Sequence, residues 1–416
     1  MPPKIVVLGL GISGRSAAKV LLKKGYLVVA ADKKFTELSS QEDIQDLVSR
    51  GLVLSSEEVS LAGVVQIILS PGIPLSHPLV QQAFQQNIEV VGEVEFAFRH
   101  IKNRCIGITG SNGKTTTTLL ITHVLNGCGI KARALGNVGV GLSTYLMDPD
   151  EKEILVVELS SFQLETLKSR SLDYALILNI TENHLDRYPS MREYAEAKLG
   201  IQNCLKDWGI FFVSRQVLNL YGCRNAKCFD GDGQSQNVDA AFAICQEFGI
   251  RREAFDRALQ TFRKPPHRIE WVGEIGGVSY YNDSKSSNIE SVLHAMKQFS
   301  HPVILIVGGK DKGSSYVPWI DAFCGKIKHV VAYGEAKEKI EKEIGFAFPF
   351  TKIDLFADAV HLACEMATKC DTVLLSPGCS SYDQFSNFER RGDAFKELIL
   401  QRKNGSKKNN PDRGNH

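Results

Sequence analysis

No stretch of the 416-residue sequence approaches the ~20 consecutive apolar residues that a bilayer-spanning helix needs. An excess of one charge is missing too: 49 Lys and Arg stand against 47 Asp and Glu, a net charge of +2. So even a balance offers no electrostatic footprint for nucleic acid or an anionic membrane, and neither is expected as a partner. The ten cysteines contain no paired Cys-x-x-Cys arrangement, which removes a zinc ribbon or finger. Scattered through apolar segments, they read as buried free thiols of a reducing compartment. Met1-Pro-Pro-Lys leads into an apolar strand without a signal-peptide layout, so a cytoplasmic protein is expected. No internal repeat is apparent.

What is present is a chain of 43% hydrophobic and 23% charged residues in which short apolar runs alternate with helical periodicity. It is organised around Gly107-Ile-Thr-Gly110-Ser111-Asn112-Gly113-Lys114-Thr115-Thr116. An apolar strand (Cys105 to Ile108) runs into a glycine-rich turn, and a helix restarts at Lys114. Glycines let backbone N–H groups turn toward phosphate oxygens, and the helix N-terminus adds partial positive charge. Lys114 can reach the outer phosphates and the Thr115 hydroxyl can hold Mg²⁺. The usual spacing wants glycine where Ile108 stands; Gly107 and Gly110 flank that position instead.

Residues 4 to 32 read as a βαβ unit whose turn, Gly9-Leu-Gly11-Ile-Ser13-Gly14, is an unbroken G-x-G-x-x-G, with Asp32 at the end of the second strand. Two ligands satisfy that pattern: a nicotinamide dinucleotide, which would make a hydride-transferring enzyme, or a nucleoside-diphosphate sugar. A third strand ends in Pro71-Gly72-Ile-Pro74, at a sheet edge where such folds bind ligands. Beyond the phosphate loop come a tight turn, Gly136-Asn137-Val-Gly139, and a buried strand ending in Glu158, the natural second oxygen donor for Mg²⁺. Another strand ends in Asn179, followed by Thr181-Glu-Asn-His184-Leu-Asp186 and a helix from Met191 to Cys204 carrying Lys198. A proline-containing joint, residues 263 to 270, precedes a third α/β unit with polar loops at its strand ends. The fold expected is α/β in three domains on mostly parallel sheets. These are a Rossmann-like domain (1–92), a P-loop ATPase-like domain (93–264) and a Rossmann-like domain (265–400). Residues 401–416, with five basic residues and one acid, read as a disordered tail.

From about residue 4 to 400 the chain resembles the Mur ligases of peptidoglycan synthesis, and among them the branch that adds D-glutamate. The motifs are Gly110-Ser-Asn-Gly-Lys-Thr, Glu158-Leu-Ser-Ser-Phe-Gln-Leu-Glu165, Asn179-Ile-Thr-Glu-Asn-His-Leu-Asp-Arg-Tyr188, Ala197-Lys198-Leu, Pro266-His-Arg268, Asn282-Asp-Ser-Lys285 and Leu375-Ser-Pro-Gly-Cys-Ser-Ser-Tyr-Asp-Gln-Phe-Ser-Asn-Phe388. The resemblance implies an ATP-dependent ligase that joins D-glutamate to UDP-N-acetylmuramoyl-L-alanine through an acyl phosphate, as a monomer. It also implies that Gly11, Ser13, Gly14, Asp32, Gly72, Asn137 and Ser160 hold the UDP-sugar peptide. Gly110 to Thr116, Asn237, Arg268 and Asp283 would hold ATP. Lys285, Ser287, Lys312, Ser381, Tyr382 and Phe388 would form the amino-acid pocket. Of two Mg²⁺ ions, one would lie between phosphates, Thr115 and Glu158; the other would be held by Glu158, His184 and Lys198, the lysine as a carbamate. The D-glutamate amine would lose its proton near His184. Closure of the domains would exclude the water that hydrolyses an acyl phosphate.

The chain departs from the pattern in three places. Between about residues 209 and 240 it is short, and the adenine-side motif stands as Gly233-Gln-Ser-Gln-Asn237, keeping one asparagine. In the loop Gly309-Lys-Asp-Lys312 the charges next to the lysine are shifted, and Tyr382 replaces an expected leucine. The rival readings are an NAD-dependent oxidoreductase, a folylpolyglutamate synthetase or sister Mur enzyme, and a non-catalytic nucleotide binder. The first leaves Lys114, Glu158 and His184 without a role. The N-terminal glycine turn and the C-terminal motif argue against the second, and the intact Lys114, Glu158, His184 and Lys198 against the third.

Overall fold

The computed structural model describes residues 2–408 except 139, 140, 186, 232, 264 and 301. Gly139, Asp186, Lys264 and the expected tail beyond Lys408 therefore lie outside the described residues. Two compact units result, one of residues 1–180 and 195–262, the other of residues 181–194 and 263–416.

Among the described residues the first unit contains two sheets, both parallel throughout. The first comprises β1 (Lys4–Leu8), β2 (Leu27–Ala31), β3 (Val53–Ser55), β4 (Val64–Leu69) and β5 (Glu89–Gly92), in the order β3-β2-β1-β4-β5. The second comprises β6 (Cys105–Thr109), β7 (Ala132–Gly136), β8 (Ile154–Glu158), β9 (Leu172–Ile177), β10 (Leu205–Ser214) and β11 (Ala226–Phe229), in the order β11-β10-β9-β6-β8-β7. Central strands of this kind are buried on both faces, which is why β6, β8 and β9 are largely apolar and buried along their whole length. Against one face of β6, β8 and β9 pack Leu120, Ile121 and Val124 of the helix Lys114–Gly127. That packing fixes the helix that begins at the phosphate loop.

The helix Glu93–Phe98 joins the two sheets, and its two buried acids hold segments distant in sequence. Glu93 accepts the Ser143 N–H at 2.5 Å, and burial raises its carboxyl above the ordinary range. Glu95 accepts the N–H groups of Lys168 and Ser169, each at 2.9 Å.

The second unit carries β12 (Glu270–Ile275), β13 (Val278–Asn282), β14 (Val303–Gly308), β15 (Ile327–Tyr333), β16 (Phe350–Ile353) and β17 (Thr372–Gly378), in the order β12-β13-β17-β14-β15-β16. All pairs are parallel except the hairpin β12-β13, whose turn residues Gly276 and Gly277 have φ of +61° and +80°. Two consecutive positive φ values give the turn whose twist matches its strands.

The local differences from expectation have physical causes. The strands β3, β11 and β16 carry weak signals because they are four residues or fewer, and β7, β10 and β12 because they are only partly buried. The helix expected from Met191 to Cys204 is α-helical only to Leu199 and tightens to a 3-10 turn from Gly200. Residues 401–408 are not tail: the helix Phe388–Lys408 runs through them, anchored by Arg402 donating to the Cys364 carbonyl at 3.0 Å.

Gly14 marks a close approach of helix to strand. A Cβ built there lies 1.9 Å from the Gly9 carbonyl oxygen and 2.9 Å from Ser70 Oγ, whereas one at Gly72 meets nothing within 4 Å. Gly14→Ala is expected to destabilise the chain by about 1–3 kcal/mol and Gly72→Ala by almost nothing, a difference that denaturant titration reads directly.

Candidate active site

In all three sheets the loops at the carboxyl ends of the strands gather the polar residues. In the first, the fingerprint turn after β1 and the Ser70 loop after β4 are neighbours: Ser70 Oγ donates to the Gly9 carbonyl at 2.8 Å. Asp32 accepts the N–H of Leu10 at 2.7 Å and of Lys34 at 2.8 Å. Its carboxylate thus ties the glycine turn to the end of β2, while Gly11 and Gly72 are exposed beside it and Ser13 is half-buried.

The phosphate loop is held open by a polar residue that the sequence places only at a strand end. Asn179 accepts the Asn112 N–H through Oδ1 at 2.8 Å and the Ser111 N–H through its carbonyl at 2.9 Å. Gln236, next to Asn237 in the altered adenine-side motif, accepts from Asn179 Nδ2 at 2.8 Å. Gly110 and Gly113 take φ of +151° and +83°, and a Cβ on Gly113 would meet Asn237 Oδ1 at 2.1 Å. Asn237 also accepts from the Thr117 hydroxyl at 3.2 Å, so it packs on the loop and its helix. Thr115 and Thr116 are half-buried at the start of that helix.

Two lysines converge on one carbonyl. Lys114 Nζ donates to Gly110 O at 2.6 Å and to Ser111 O at 3.0 Å, and Lys198 Nζ donates to Gly110 O at 2.9 Å. Lys198 is only 1% exposed; burial holds its ammonium well below the ordinary lysine range, the Lys114 charge adds to the shift and Glu158 opposes it. Glu158, also 1% exposed, accepts from Asn137 Nδ2 at 3.1 Å through Oε1, while its buried Oε2 has no hydrogen-bond partner. A buried carboxylate oxygen left unsatisfied is costly unless something cationic occupies the space. With the Thr115 hydroxyl it suits a hard divalent cation such as Mg²⁺. Among the described residues no group of three or more His, Cys, Asp or Glu side chains could hold a metal by themselves, so phosphate oxygens would have to complete such a site. Ser160 caps the helix Ser161–Leu164 in a reciprocal capping box with Gln163, which engages its hydroxyl locally.

In the second unit His184 has a φ of +58°, and its carbonyl accepts the N–H groups of Arg187 and Tyr188, each at 3.0 Å. Asp283, after β13, accepts from Ser376 Oγ at 2.7 Å and the Ile269 N–H at 3.2 Å; burial pushes its carboxyl up to about 6 against the opposing pull of Arg268. Lys285 Nζ sits 3.7 Å from the Phe388 ring centroid, and Lys312 Nζ donates to Ser287 Oγ at 3.2 Å. The loop after β14 pairs with the loop after β17 through Lys310 and Ser380, at 2.9 and 3.0 Å, which joins the loop carrying Lys312 to the loop carrying Ser381 and Tyr382. Ser381 is buried, whereas Tyr382 is 70% exposed.

The same three segments match models of known domains: a Mur ligase MurD-like N-terminal domain over residues 3–92, a Mur ligase middle domain over 108–226 and a Mur ligase glutamate ligase domain over 267–379. The UDP-N-acetylmuramoylalanine–D-glutamate ligase of Protochlamydia amoebophila is 42% identical, over 95% of this chain and 97% of its own. The chain belongs to the Mur ligase family. A Mur ligase of the same name from Chlamydia pneumoniae is 37% identical over 96% of this chain and 98% of its own. Among solved structures, the Mur ligase fold recurs in UDP-N-acetylmuramate-alanine ligase MurC of Thermotoga maritima, with a TM-score of 0.62 at 14% identity, covering 96% of this chain and all of that one. The MurF ligase of Thermotoga maritima, solved in complex with ADP, gives 0.59 at 17% identity, covering 90% of this chain and 95% of that one.

The Asp283 carboxyl sets a pH dependence. Its pKa rises from an unfolded value of about 3.9 to about 6 on folding, so the stability it contributes is present below about 3.9 and lost as pH rises through about 6. Asp283→Asn is expected to flatten the fall in stability between pH 4 and 6, measured by urea denaturation at stepped pH; an unchanged slope would remove Asp283 as its source.

Proposed function

We propose that the chain is an ATP-dependent ligase that joins D-glutamate to UDP-N-acetylmuramoyl-L-alanine in peptidoglycan precursor synthesis. The observation that carries this reading is the cradle at Gly110, where a glycine turn and the side chains of Lys114 and Lys198 meet at the end of β6, with the buried, partnerless oxygen of Glu158 at the end of the neighbouring β8. The names of the 42% and 37% identical relatives support the choice of amino acid and sugar nucleotide.

In the first step the sugar-peptide carboxylate forms a bond to the γ-phosphorus of ATP as the bond to ADP breaks, giving an acyl phosphate. Lys114 and the N–H groups at the start of its helix stabilise the charge that spreads over the phosphoryl oxygens. Thr115 and Glu158 would hold one Mg²⁺, and Glu158, His184 and Lys198 a second; the metal supplies positive charge to phosphate oxygens. Burial, which disfavours the Lys198 ammonium, favours the amine with which carbon dioxide forms a carbamate, an anionic oxygen donor. In the second step the D-glutamate amine forms the amide bond at the acyl carbon, phosphate leaves, and the amine proton is assigned to His184.

The remaining assignments follow the same reading. Gly11, Ser13, Gly14, Asp32, Gly72, Asn137 and Ser160 serve the UDP-sugar peptide; Gly110 to Thr116, Asn237, Arg268 and Asp283 serve ATP. Lys285, Ser287, Lys312, Ser381, Tyr382 and Phe388 form a cationic and hydroxyl-lined pocket suited to a dicarboxylate. The enzyme acts as a cytoplasmic monomer; among the described residues no helix is long and apolar enough to cross a membrane.

Phosphate release from ATP with Mg²⁺ and UDP-N-acetylmuramoyl-L-alanine, run with each candidate amino acid, tests the reaction. Release is expected only with D-glutamate, and Lys114→Ala is expected to lower kcat by about 10²–10³-fold. Release with another amino acid alone would overturn the specificity, and none with any would overturn the reaction.

A further inference from the structure

The side chain of Arg391, on the helix Phe388–Lys408, is completely buried in the second unit. Its partners come from several strand ends. Nε donates to Ser284 Oγ at 3.0 Å and Nη2 to the Ser284 carbonyl at 2.8 Å, just past β13. Nη2 also donates to the Cys379 carbonyl at 3.1 Å, just past β17, and Nη1 to the Tyr333 hydroxyl at 3.3 Å, at the end of β15. A Cβ on Gly309, just past β14, would lie 3.1 Å from Nη1. Four adjacent strands, β13-β17-β14-β15, therefore meet one guanidinium at their carboxyl ends. Three of the loops that follow them carry the polar side chains of the amino-acid pocket: Lys285 and Ser287, Lys312, and Ser381 with Tyr382.

Every one of these acceptors is a carbonyl or a hydroxyl. Among the described residues no carboxylate forms an ion pair with Arg391, so a buried positive charge is held by neutral dipoles alone. Such a charge is expensive to bury, yet a leucine or methionine would fill the space without providing five donors in a rigid fork. The arrangement therefore does what an apolar residue cannot: it bonds the loops after β13 and β17 and the end of β15 to one fork, with Gly309 of the loop after β14 close to Nη1. Ser284 extends the clamp by donating from Oγ to the Phe388 carbonyl at 2.8 Å, next to the ring on which Lys285 rests.

We propose that Arg391 is a positioning residue for the amino-acid substrate, a clamp whose hydrogen-bonded fork sets the spacing of the strand-end loops that would hold the dicarboxylate. The proposal rests on the assignment of these loops to the amino-acid pocket.

The full chain carrying Arg391→Lys, Arg391→Gln or the milder Tyr333→Phe tests it by steady-state kinetics and amide hydrogen exchange. Arg391→Gln is expected to raise KM for D-glutamate at least tenfold while KM for the sugar nucleotide stays within twofold. Arg391→Lys, which keeps the charge without the fork, should fall between, and Tyr333→Phe should raise KM for D-glutamate about threefold. Exchange in residues 283–287, 309–312 and 379–382 should accelerate together in both Arg391 variants, a readout that needs no substrate. If the native chain shows no turnover with D-glutamate while the three loops still loosen together, the functional assignment fails and the clamp stands. Loops that keep native exchange, or a KM for D-glutamate that rises no more than the others, would overturn it, with Tyr333→Phe deciding if neither Arg391 variant folds.

Discussion

The Gly110 carbonyl accepts from two lysine side chains, and much of the first unit is arranged so that it can. Two donors on one carbonyl pin the turn at a single point, so it needs support from outside itself. Asn179 provides it on one side by holding Ser111 and Asn112, with Gln236 behind it. Asn237 fills the space that a side chain on Gly113 would need. The cradle is thus preorganised for an anion. The buried Glu158 points the same way, since one of its oxygens has nothing to bond until a cation or donor is supplied.

The sheets make this possible by a common rule. In a parallel sheet every strand ends on the same side, so residues distant in sequence become neighbours at the carboxyl edge. The order β9-β6-β8 sets Asn179, the phosphate loop and Glu158 side by side. The order β1-β4 sets the fingerprint turn beside Ser70, and β13-β17-β14-β15 gathers the loops around Arg391. The helix Glu93–Phe98 uses buried carboxylates as backbone acceptors to pin segments that are not themselves regular. Burying Glu93 is tolerable because its carboxyl is biased toward the neutral form.

Several side chains singled out for binding also have structural work. Asp32 ties the end of β2 to the glycine turn, and Ser160 caps a helix. Neither task excludes a ligand, since carboxylate oxygens and hydroxyls accept more than one bond. Each does mean that substitution there changes the scaffold as well as the pocket. The helix through residues 401–408 makes the complementary point, because polar composition argued for a tail while a contact from Arg402 to the Cys364 carbonyl holds the turn in place.

Sequence alone determined the α/β class, the phosphate loop at Gly110 to Thr116, the strand-end acid Glu158 and the turn glycines. Each is a local matter of periodicity, of backbone freedom at a turn or of a polar residue closing an apolar run. It left β3, β7, β10, β11, β12 and β16 unassigned, since short or partly buried strands take their stability from neighbours. Tertiary structure alone decided that Lys198, on a helix whose other charges look solvated, is buried at Gly110, and that Gln236 supports Asn179. It alone also placed Arg391 beneath four strand ends. A lysine or arginine reads as solvated wherever it occurs in a sequence; burial and partners come from chain segments that only the folded sheet brings together.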